Sequence, residues 1–237
     1  MQKDVFSGLK LDNGEPIYTQ EYIQSLRDAD KKHPDKLKII AQRGGQERML
    51  SIDADIKIVG GSRGGSKSFS SLMEVLKDIK NPDFHATILR NEKDDLQSLV
   101  TDSYKLFSQF GTYNKSQNDM TWNFDNGGWL KFSYYAGAYQ DFKTRFQGRQ
   151  YAYVCIDEGT QCPYKKFKYL LTNNRNAAHI RNRFWITCNP DPESWVRKFI
   201  DWWVDENGYI IPERDGVIRY CFMDGNTPVS YTHLRAH

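Results

Sequence analysis

Short strand-like runs of β-branched and aromatic residues alternate with segments of helical periodicity along most of the chain. The strand-like runs lie at residues 56–59, 86–89, 120–124, 129–134, 151–156, 183–187 and 217–222. Helical spacing occupies residues 69–79, 94–110, 164–173 and 195–204. Two of the runs flank Asp125-Asn126-Gly127-Gly128, a sequence typical of a hairpin turn. Because strands that alternate with helices favour a parallel sheet covered on both faces, we expect an α/β fold with a mostly parallel central sheet, flanking helices and one inserted antiparallel hairpin.

The composition is typical of a soluble globular protein of modest charge. The 237 residues include 33 basic and 30 acidic ones, a net charge of +3 that supports a nucleic-acid partner only weakly. No run approaches the ~18 apolar residues of a membrane span, and the N-terminus lacks the apolar stretch of a signal peptide. We therefore expect an intracellular protein. Its four scattered cysteines are expected to be reduced and mostly buried: Cys155, Cys162, Cys188 and Cys221.

The pattern divides the chain into three parts. Residues 1–50 are a polar lead-in with a short helical pattern at 19–30, and residues 51–228 carry the strands and helices of the main domain. Residues 229–237, VSYTHLRAH, resemble the in-frame translation of a transposase-type sequencing adapter. We expect this tail to be non-native and assign it no chemistry. An ordinary disordered terminus is the alternative.

A glycine-rich segment connects the first strand-like run of the main domain to its first helix. It reads Gly60-Gly61-Ser62-Arg63-Gly64-Gly65-Ser66-Lys67-Ser68. In this context glycines let successive backbone N–H groups face a phosphate, and the following helix N-terminus adds its dipole. Lys67 is expected to reach the β- and γ-phosphates and Ser68 to ligate Mg²⁺.

One position of this loop departs from the phosphate-loop pattern. Ser66 stands where the pattern has glycine, and a serine fits there if its φ is negative. Taken alone, the loop leaves open a glycine- and serine-rich turn that merely carries a lysine.

The apolar run at 151–156 ends in two acids, Asp157 and Glu158. Two carboxylates at the end of an apolar strand are costly without a cation, which favours a metal nearby. The pair fits a Walker B element, in which Asp157 holds Mg²⁺ and Glu158 polarises the water that attacks the γ-phosphate. The arrangement therefore favours hydrolysis over phosphoryl transfer, although a surface turn with two solvated acids remains the alternative.

Further candidates complete the predicted chemistry. Arg63 is placed to neutralise charge on the phosphoryl group in cis, whereas Arg145 and Arg149 are candidates for an arginine finger offered to a neighbouring subunit. A solvated surface side chain is the alternative for each arginine. At the end of the strand-like run 183–187, Asn189 is the expected γ-phosphate sensor with Thr187 in support.

In this order, the segments resemble the ATPase domain of phage terminase large subunits, the motor that drives DNA into an empty capsid. The resemblance runs from about residue 42 to 227 and rests on the two motifs above together with GQERML at 45–50, ILR at 88–90, RFQG at 145–148, IDEGTQ at 156–161, YLL at 169–171, TCNP at 187–190 and DGVIRY at 215–220. It implies a RecA-like P-loop fold of the additional-strand, conserved-glutamate type. It also implies that Gln46 binds the adenine edge and that Asn189 belongs to the motif coupling hydrolysis to DNA movement.

The same resemblance implies the cofactors and partners. These are ATP and Mg²⁺, double-stranded DNA, a portal protein, a small terminase subunit and further copies of the chain in a ring, in the host cytoplasm and without a membrane. The chain ends before any RNase H-like nuclease domain, so we expect a truncated reading frame without nuclease activity. We therefore expect an ATP-hydrolysing DNA translocase. Another P-loop DNA-dependent ATPase, helicase-like or recombinase-like, and a non-catalytic phage assembly subunit are the alternatives.

Overall fold

The computed structural model describes residues 10–11, 41–42, 44–61, 66–114, 116, 119–177, 179–189, 191–224 and 227–230, with the backbone alone at 10–11, 222–224, 227 and 229–230. The predicted helix at 19–30, the loop residues 62–65 and the tail from residue 231 lie outside these ranges. None of the described helices is long and apolar enough to cross a membrane. The chain forms two compact units, one of residues 54–191 and one of residues 1–53 with 192–237.

The described strands and helices follow one another in the alternation that the sequence predicts. In chain order they are β1 (Lys10–Leu11), α1 (Gly45–Ser51), β2 (Ile56–Val59), α2 (Lys67–Val75), β3 (His85–Arg90), α3 (Gln97–Phe107), β4 (Gly111–Asn114), β5 (Thr121–Phe124), β6 (Trp129–Tyr134), α4 (Tyr139–Phe146), β7 (Tyr153–Ile156), α5 (Tyr164–Asn173), β8 (Arg183–Thr187), α6 (Trp195–Ile200), β9 (Val217–Ile218), β10 (Cys221–Asp224) and β11 (Thr227–Ser230). Short 3₁₀ turns occur at Asp94–Leu96, Gly159–Gln161, Asp201–Trp203 and Pro212–Arg214.

Within the described part of the unit 54–191, seven strands form one mixed sheet in the order β2-β8-β7-β3-β6-β5-β4. The first five strands in this order are parallel to their neighbours, and β5 and β4 continue the sheet in antiparallel pairing. All residues of β7 and β8 are buried, as expected of central strands covered on both faces. The predicted mostly parallel α/β sheet is therefore confirmed.

The register of the central strands brings their carboxyl ends to one edge of the sheet. Ile156 of β7 lies between Leu89 of β3 and Ile186 of β8, and Val59 of β2 pairs with Thr187. The residues that follow these strands therefore meet at one place.

The hairpin predicted around Asp125–Gly128 is confirmed, and it lies at the far side of the sheet. Strands β5 and β6 pair antiparallel, and Gly127 adopts a φ of +105°, a conformation that favours glycine. Strand β4, which the sequence pattern does not predict, extends this edge. Gly111 in β4 lies so close to β5 that a Cβ there would come within 2.2 Å of the Asn123 carbonyl oxygen. The close approach of two backbones explains a glycine in this strand.

Helix α2 ends at Val75, four residues before the predicted end. The amides of Leu76, Lys77 and Asp78 bond to carbonyls three residues back, so the last turn tightens. In the same region Glu74 and Asp78 form ion pairs with Arg183 of β8. Ion pairs with β8 thus hold residues 74–78, which the sequence pattern predicted as helix.

The described residues of the second unit form two small two-stranded sheets. Here β1 pairs in parallel with β9, and β10 pairs antiparallel with β11. The run at 217–222 was predicted as one strand and forms parts of two, and the helix predicted for 195–204 ends at Ile200 in a 3₁₀ turn. The indole N–H of Trp203 donates to the Val217 carbonyl at 2.9 Å, which ties this turn to β9.

The cysteines have the predicted character. Cys155, Cys162 and Cys188 are buried free thiols, and Cys221 is a half-buried one. Burial raises the pKa of each of the three buried thiols.

Candidate nucleotide site

The carboxylate of Asp157 is the centre of the cluster at the carboxyl edge of the sheet. It is fully buried directly after β7. Its Oδ1 accepts hydrogen bonds from the Ser68 hydroxyl, at 2.9 Å, and from the Thr187 hydroxyl. The structure thereby joins the end of the glycine-rich loop to the two central strands, since Ser68 lies in the first turn of α2 and Thr187 ends β8.

The other oxygen of Asp157 is held by an arginine. Arg90, the last residue of β3, places its Nε 2.6 Å from Asp157 Oδ2. Its Nη1 donates to the Asp95 carbonyl oxygen at 2.7 Å and to the Ser98 hydroxyl at 3.1 Å. The sequence motifs assign Arg90 no role, because the long-range pairing of β3 with β7 is what brings it to Asp157.

Glu158 is held in a conformation that non-glycine residues rarely adopt. Its φ is +59° and its ψ is 46°, in the left-handed region. The backbone N–H donates to the Thr187 hydroxyl at 3.1 Å, and the carbonyl accepts a hydrogen bond from the Tyr135 hydroxyl at 3.1 Å. The Gln161 side-chain amide donates to Glu158 Oε2 at 3.1 Å. Three neighbours thus fix the backbone and the carboxylate.

The Tyr135 hydroxyl that donates to the Glu158 carbonyl stays protonated. The side chain is fully buried, and burial raises the pKa of its hydroxyl well above the ordinary value, so the hydroxyl keeps its proton. No motif in the sequence points to this tyrosine, which lies 23 residues before Glu158.

Lys67 lies beside the predicted sensor. Its Nζ donates to the Gly61 carbonyl at 2.9 Å and to Asn189 Oδ1 at 3.4 Å. The structure therefore brings Lys67, Asn189 and the start of the loop together. The predicted binding residues Ser62, Arg63, Gly64 and Gly65 lie outside the described residues.

The expectation for Ser66 requires a correction. A serine was expected to fit this position if its φ is negative, whereas Ser66 has a φ of +57° and a ψ of 13°. This is the left-handed conformation that explains why the loop pattern has glycine here. The serine occupies it while its carbonyl accepts hydrogen bonds from both the backbone N–H and the hydroxyl of Ser70, each at 2.8 Å.

A protein-family model identifies the relatives of this chain. The model for "Terminase large subunit, T4likevirus-type, N-terminal" matches residues 58–236. The chain belongs to the terminase large subunit family. No curated protein matches it significantly.

Solved terminase structures share this fold. The large terminase from a thermophilic bacteriophage aligns with a TM-score of 0.53 at 16% identity, over 69% of this chain and 43% of that one. The complex of that same terminase with ADP aligns with a TM-score of 0.52 at 17% identity, over 68% and 42%. The ATPase domain of the Thermus phage P74-26 large terminase aligns with a TM-score of 0.53 at 12% identity, over 84% and 80%. The chain thus spans less than half of the first of these terminases and has the P-loop fold of terminase ATPase domains.

The other predicted site residues that the structure describes in this terminase chain are Gln46, Arg145 and Arg149. Gln46, in α1 of the second unit, is buried and accepts a hydrogen bond from the Gln42 N–H at 2.7 Å. Arg145 donates to the Tyr134 carbonyl at 2.7 Å, and its guanidinium stacks 3.7 Å from the centre of the Tyr134 ring. Arg149 donates through Nε to the Arg145 carbonyl at 3.0 Å. The adenine role of Gln46 and the trans role of the arginines stay predictions.

Ser68 in the first turn of α2 and Asp157 directly after β7 fit a magnesium ion. Ser68 and Asp157 place two hard oxygen donors 2.9 Å apart, the ligand type that Mg²⁺ prefers. The described residues include no cluster of three or more His, Cys, Asp or Glu able to hold a metal. An ion here would therefore depend on few protein ligands plus phosphate oxygens and water, the usual arrangement for Mg²⁺ in such sites.

Proposed function

We propose that residues 51–228 form the ATPase domain of a phage DNA-packaging motor, which hydrolyses ATP to move double-stranded DNA into the procapsid. The observation that carries this proposal is the contact of Ser68 and Thr187 with one oxygen of Asp157. This contact joins the end of the glycine-rich loop, the acids that follow β7 and the end of β8, which carry the three parts that ATP hydrolysis requires.

The loop would bind the triphosphate. Residues 61–68 would surround the phosphates with backbone N–H groups, and Lys67 would neutralise the β- and γ-phosphates. Gln46 would bind the adenine edge, and Arg63 would act on the transferring phosphoryl group in cis. The ADP complex of the thermophilic bacteriophage terminase supports nucleotide binding by this fold.

Glu158 would orient and polarise the attacking water as general base. Its carboxylate is already bonded to Gln161 and its backbone to Thr187 and Tyr135, so little reorganisation is needed before water is engaged. Ser68 and Asp157 would hold Mg²⁺, which when bound neutralises charge on the phosphate oxygens. Thr187 and Asn189 would transmit the state of the γ-phosphate, because Asn189 contacts Lys67 and Thr187 contacts both acids.

The partners follow from the family. We propose that the chain binds double-stranded DNA, a portal protein and a small terminase subunit in the host cytoplasm, and that copies assemble into a ring. Arg145 and Arg149 would then be the candidates for the arginine offered to a neighbouring nucleotide.

Glu158→Gln tests the proposal most directly. ATP turnover is measured with and without double-stranded DNA, and nucleotide affinity is measured in parallel. We expect DNA to stimulate turnover in the parent chain and the variant to lose about 100-fold or more of it while still binding ATP. Glu92→Gln, an exposed acid in the same unit, is the control and should retain full turnover.

The alternatives give different results in the same experiment. Stimulation by single-stranded DNA alone would favour a helicase-like or recombinase-like ATPase. Absence of turnover in the parent chain, with the C-terminal part of the protein restored, would favour a non-catalytic assembly subunit.

A further inference from the structure

A polar cavity of about 240 Å³ lies in the unit 54–191 against strand β6. Part of its wall comes from β6 itself and part from the end of α4 and the residues that follow. The lining includes Lys93, Lys131, Ser133, Arg145, Arg149 and Tyr151. We call this space the basic cavity.

The lining of the basic cavity is strongly positive. Lys93, Lys131, Arg145 and Arg149 contribute four cations, and none of the lining residues is acidic. Asp119 pairs with one of them, Lys131, at 2.8 Å. Like charges brought together repel one another, so an anion placed among them is bound favourably.

Two of the cations are held in place before any ligand arrives. The Arg145 guanidinium is fixed between the Tyr134 carbonyl and the face of the Tyr134 ring. Arg149 donates through Nε to the Arg145 carbonyl at 3.0 Å, which anchors its guanidinium at the cavity wall. Guanidinium groups fixed in this way lose little conformational entropy when they bind an oxyanion.

Hydroxyl groups complete the lining. Ser133 is only 6% exposed, and its hydroxyl makes no hydrogen bond to any residue that the structure describes. Tyr151 is also buried, and burial raises the pKa of its hydroxyl to about 12 against the opposing effect of Arg149. Both hydroxyls therefore remain protonated and able to donate.

We propose that the basic cavity binds a phosphate group carried by a larger ligand. Arginine and lysine side chains with hydroxyl donors match the several oxygens of a phosphate. A volume of about 240 Å³ is below the ~300 Å³ at which sites for whole small molecules begin, so the cavity takes a phosphate group rather than a nucleotide. The phosphate belongs either to a nucleic-acid backbone or to the end of a nucleotide. This inference does not rest on the proposed ATP hydrolysis.

The test measures binding of inorganic phosphate by isothermal titration at constant ionic strength. The whole chain carries Lys67→Ala, which removes the loop lysine as a competing phosphate ligand. Lys93→Gln is added in one variant and Lys80→Gln, at an exposed lysine outside the cavity lining, in another. We expect Lys93→Gln to weaken phosphate binding about tenfold, Lys93→Arg to restore it and Lys80→Gln to leave it unchanged. Equal melting temperatures show that the variants are folded.

The source of the phosphate is decided by competition. Displacement of bound phosphate by a short DNA duplex assigns the cavity to backbone phosphate, and displacement by ATPγS assigns it to a nucleotide terminus. The proposal is overturned if the Lys67→Ala chain binds no phosphate, if Lys93→Gln and Lys80→Gln bind it equally, or if neither competitor displaces it.

Discussion

Individual hydrogen bonds hold the backbone of Glu158 in its left-handed conformation. A glutamate with a φ of +59° is strained by roughly 1 kcal/mol relative to an extended or helical residue, so neighbouring groups must hold it. The Tyr135 hydroxyl, bonded to the Glu158 carbonyl, and the Thr187 hydroxyl, bonded to its N–H, do this from two different strand ends. Tyr135 is therefore a positioning residue for the proposed general base.

Tyr135→Phe removes this hydroxyl with little change of volume. Loss of one hydrogen bond to the Glu158 carbonyl costs on the order of 1 kcal/mol, so we expect kcat for ATP hydrolysis to fall up to roughly tenfold. Nucleotide affinity should not change, because Tyr135 makes no described contact with the loop. Steady-state kinetics and nucleotide titration measure the two quantities separately.

Tyr153→Phe is the matched control for this variant. Tyr153 is equally buried and donates to the Ser71 carbonyl at 2.9 Å, away from Glu158. Tyr153→Phe should lower the free energy of unfolding by about as much as Tyr135→Phe does, while kcat stays the same. An equal loss of kcat in both variants would show that Tyr135 acts only through general stability.

Residue conformations were the part of the site least accessible from the sequence. Ser68 and Asp157, each predicted to ligate Mg²⁺, lie in contact because the carboxyl ends of the parallel strands meet at one edge of the sheet. Their roles as metal ligands stay predictions. The motif could not give the positive φ of Ser66, which depends on how the loop closes onto α2. Nor could it give Arg90 or Tyr135, because their contacts with the acids join distant parts of the chain.

At the scale of secondary structure, local sequence patterns predict where helices and strands lie, whereas tertiary contacts determine where they begin and end. Helix α5 and strand β8 have the predicted bounds, since the buried residues of α5 recur at helical spacing and β8 is a continuous buried run. Strand β4 was missed because GTYN has no apolar alternation and is a strand only through its pairing with β5. Strand pairing between distant segments is the information that local periodicity lacks.

A buried charged cluster packs α2 against strands β2 and β8. Lys57 of β2 is 4% exposed, lies 3.3 Å from both Glu74 carboxylate oxygens and sits over the Trp185 ring at 4.9 Å. Glu74 also pairs with Lys77 and Arg183. Burial lowers the pKa of Lys57 from 10.5 to about 7, although Glu74 opposes the shift.

This lowered pKa makes folding depend on pH in a defined direction. Between pH 7 and 10.5 folded Lys57 has lost its proton while the unfolded chain keeps it, so the unfolded state binds more protons. The free energy of unfolding should therefore rise with pH, by at most about 1.4 kcal/mol per pH unit. Lys57→Met should reduce this slope while Glu74 keeps its other two partners.

Denaturant titrations from pH 7 to 8.5 measure this slope. Above about pH 8.5 the unfolded thiols ionise, whereas the buried ones resist, so the cysteines act in the opposite direction there. The cysteines are the same in the parent chain and in Lys57→Met. The difference between the two slopes of unfolding free energy against pH therefore reports on Lys57 alone. Lys80→Met, at an exposed position, should leave the slope unchanged, and an identical slope in Lys57→Met would contradict the prediction.

At the scale of the whole molecule, we expect the stability of the unit 54–191 to depend on occupation of its proposed site. Asp157 is fully buried, and among the described side chains Arg90 is the cation that pairs with it. A buried ion pair adds little net stability, yet removal of one partner leaves an uncompensated charge and is strongly destabilising. A bound metal ion would supply positive charge to the same carboxylate.

Arg90→Gln should accordingly lower the free energy of unfolding by about 3 kcal/mol or more. Arg181→Gln breaks an ion pair with Asp55 whose side chains are 42% and 77% exposed, and it should cost no more than about 1 kcal/mol. Because ligands that bind the folded state stabilise it, Mg²⁺ with ATPγS should raise the melting temperature of both variants, and more for Arg90→Gln, where the ion also replaces the lost charge. Calorimetry with and without the ligand measures both effects. If Arg90→Gln cost no more than Arg181→Gln, the Arg90–Asp157 ion pair would not be a main stabiliser of this buried site.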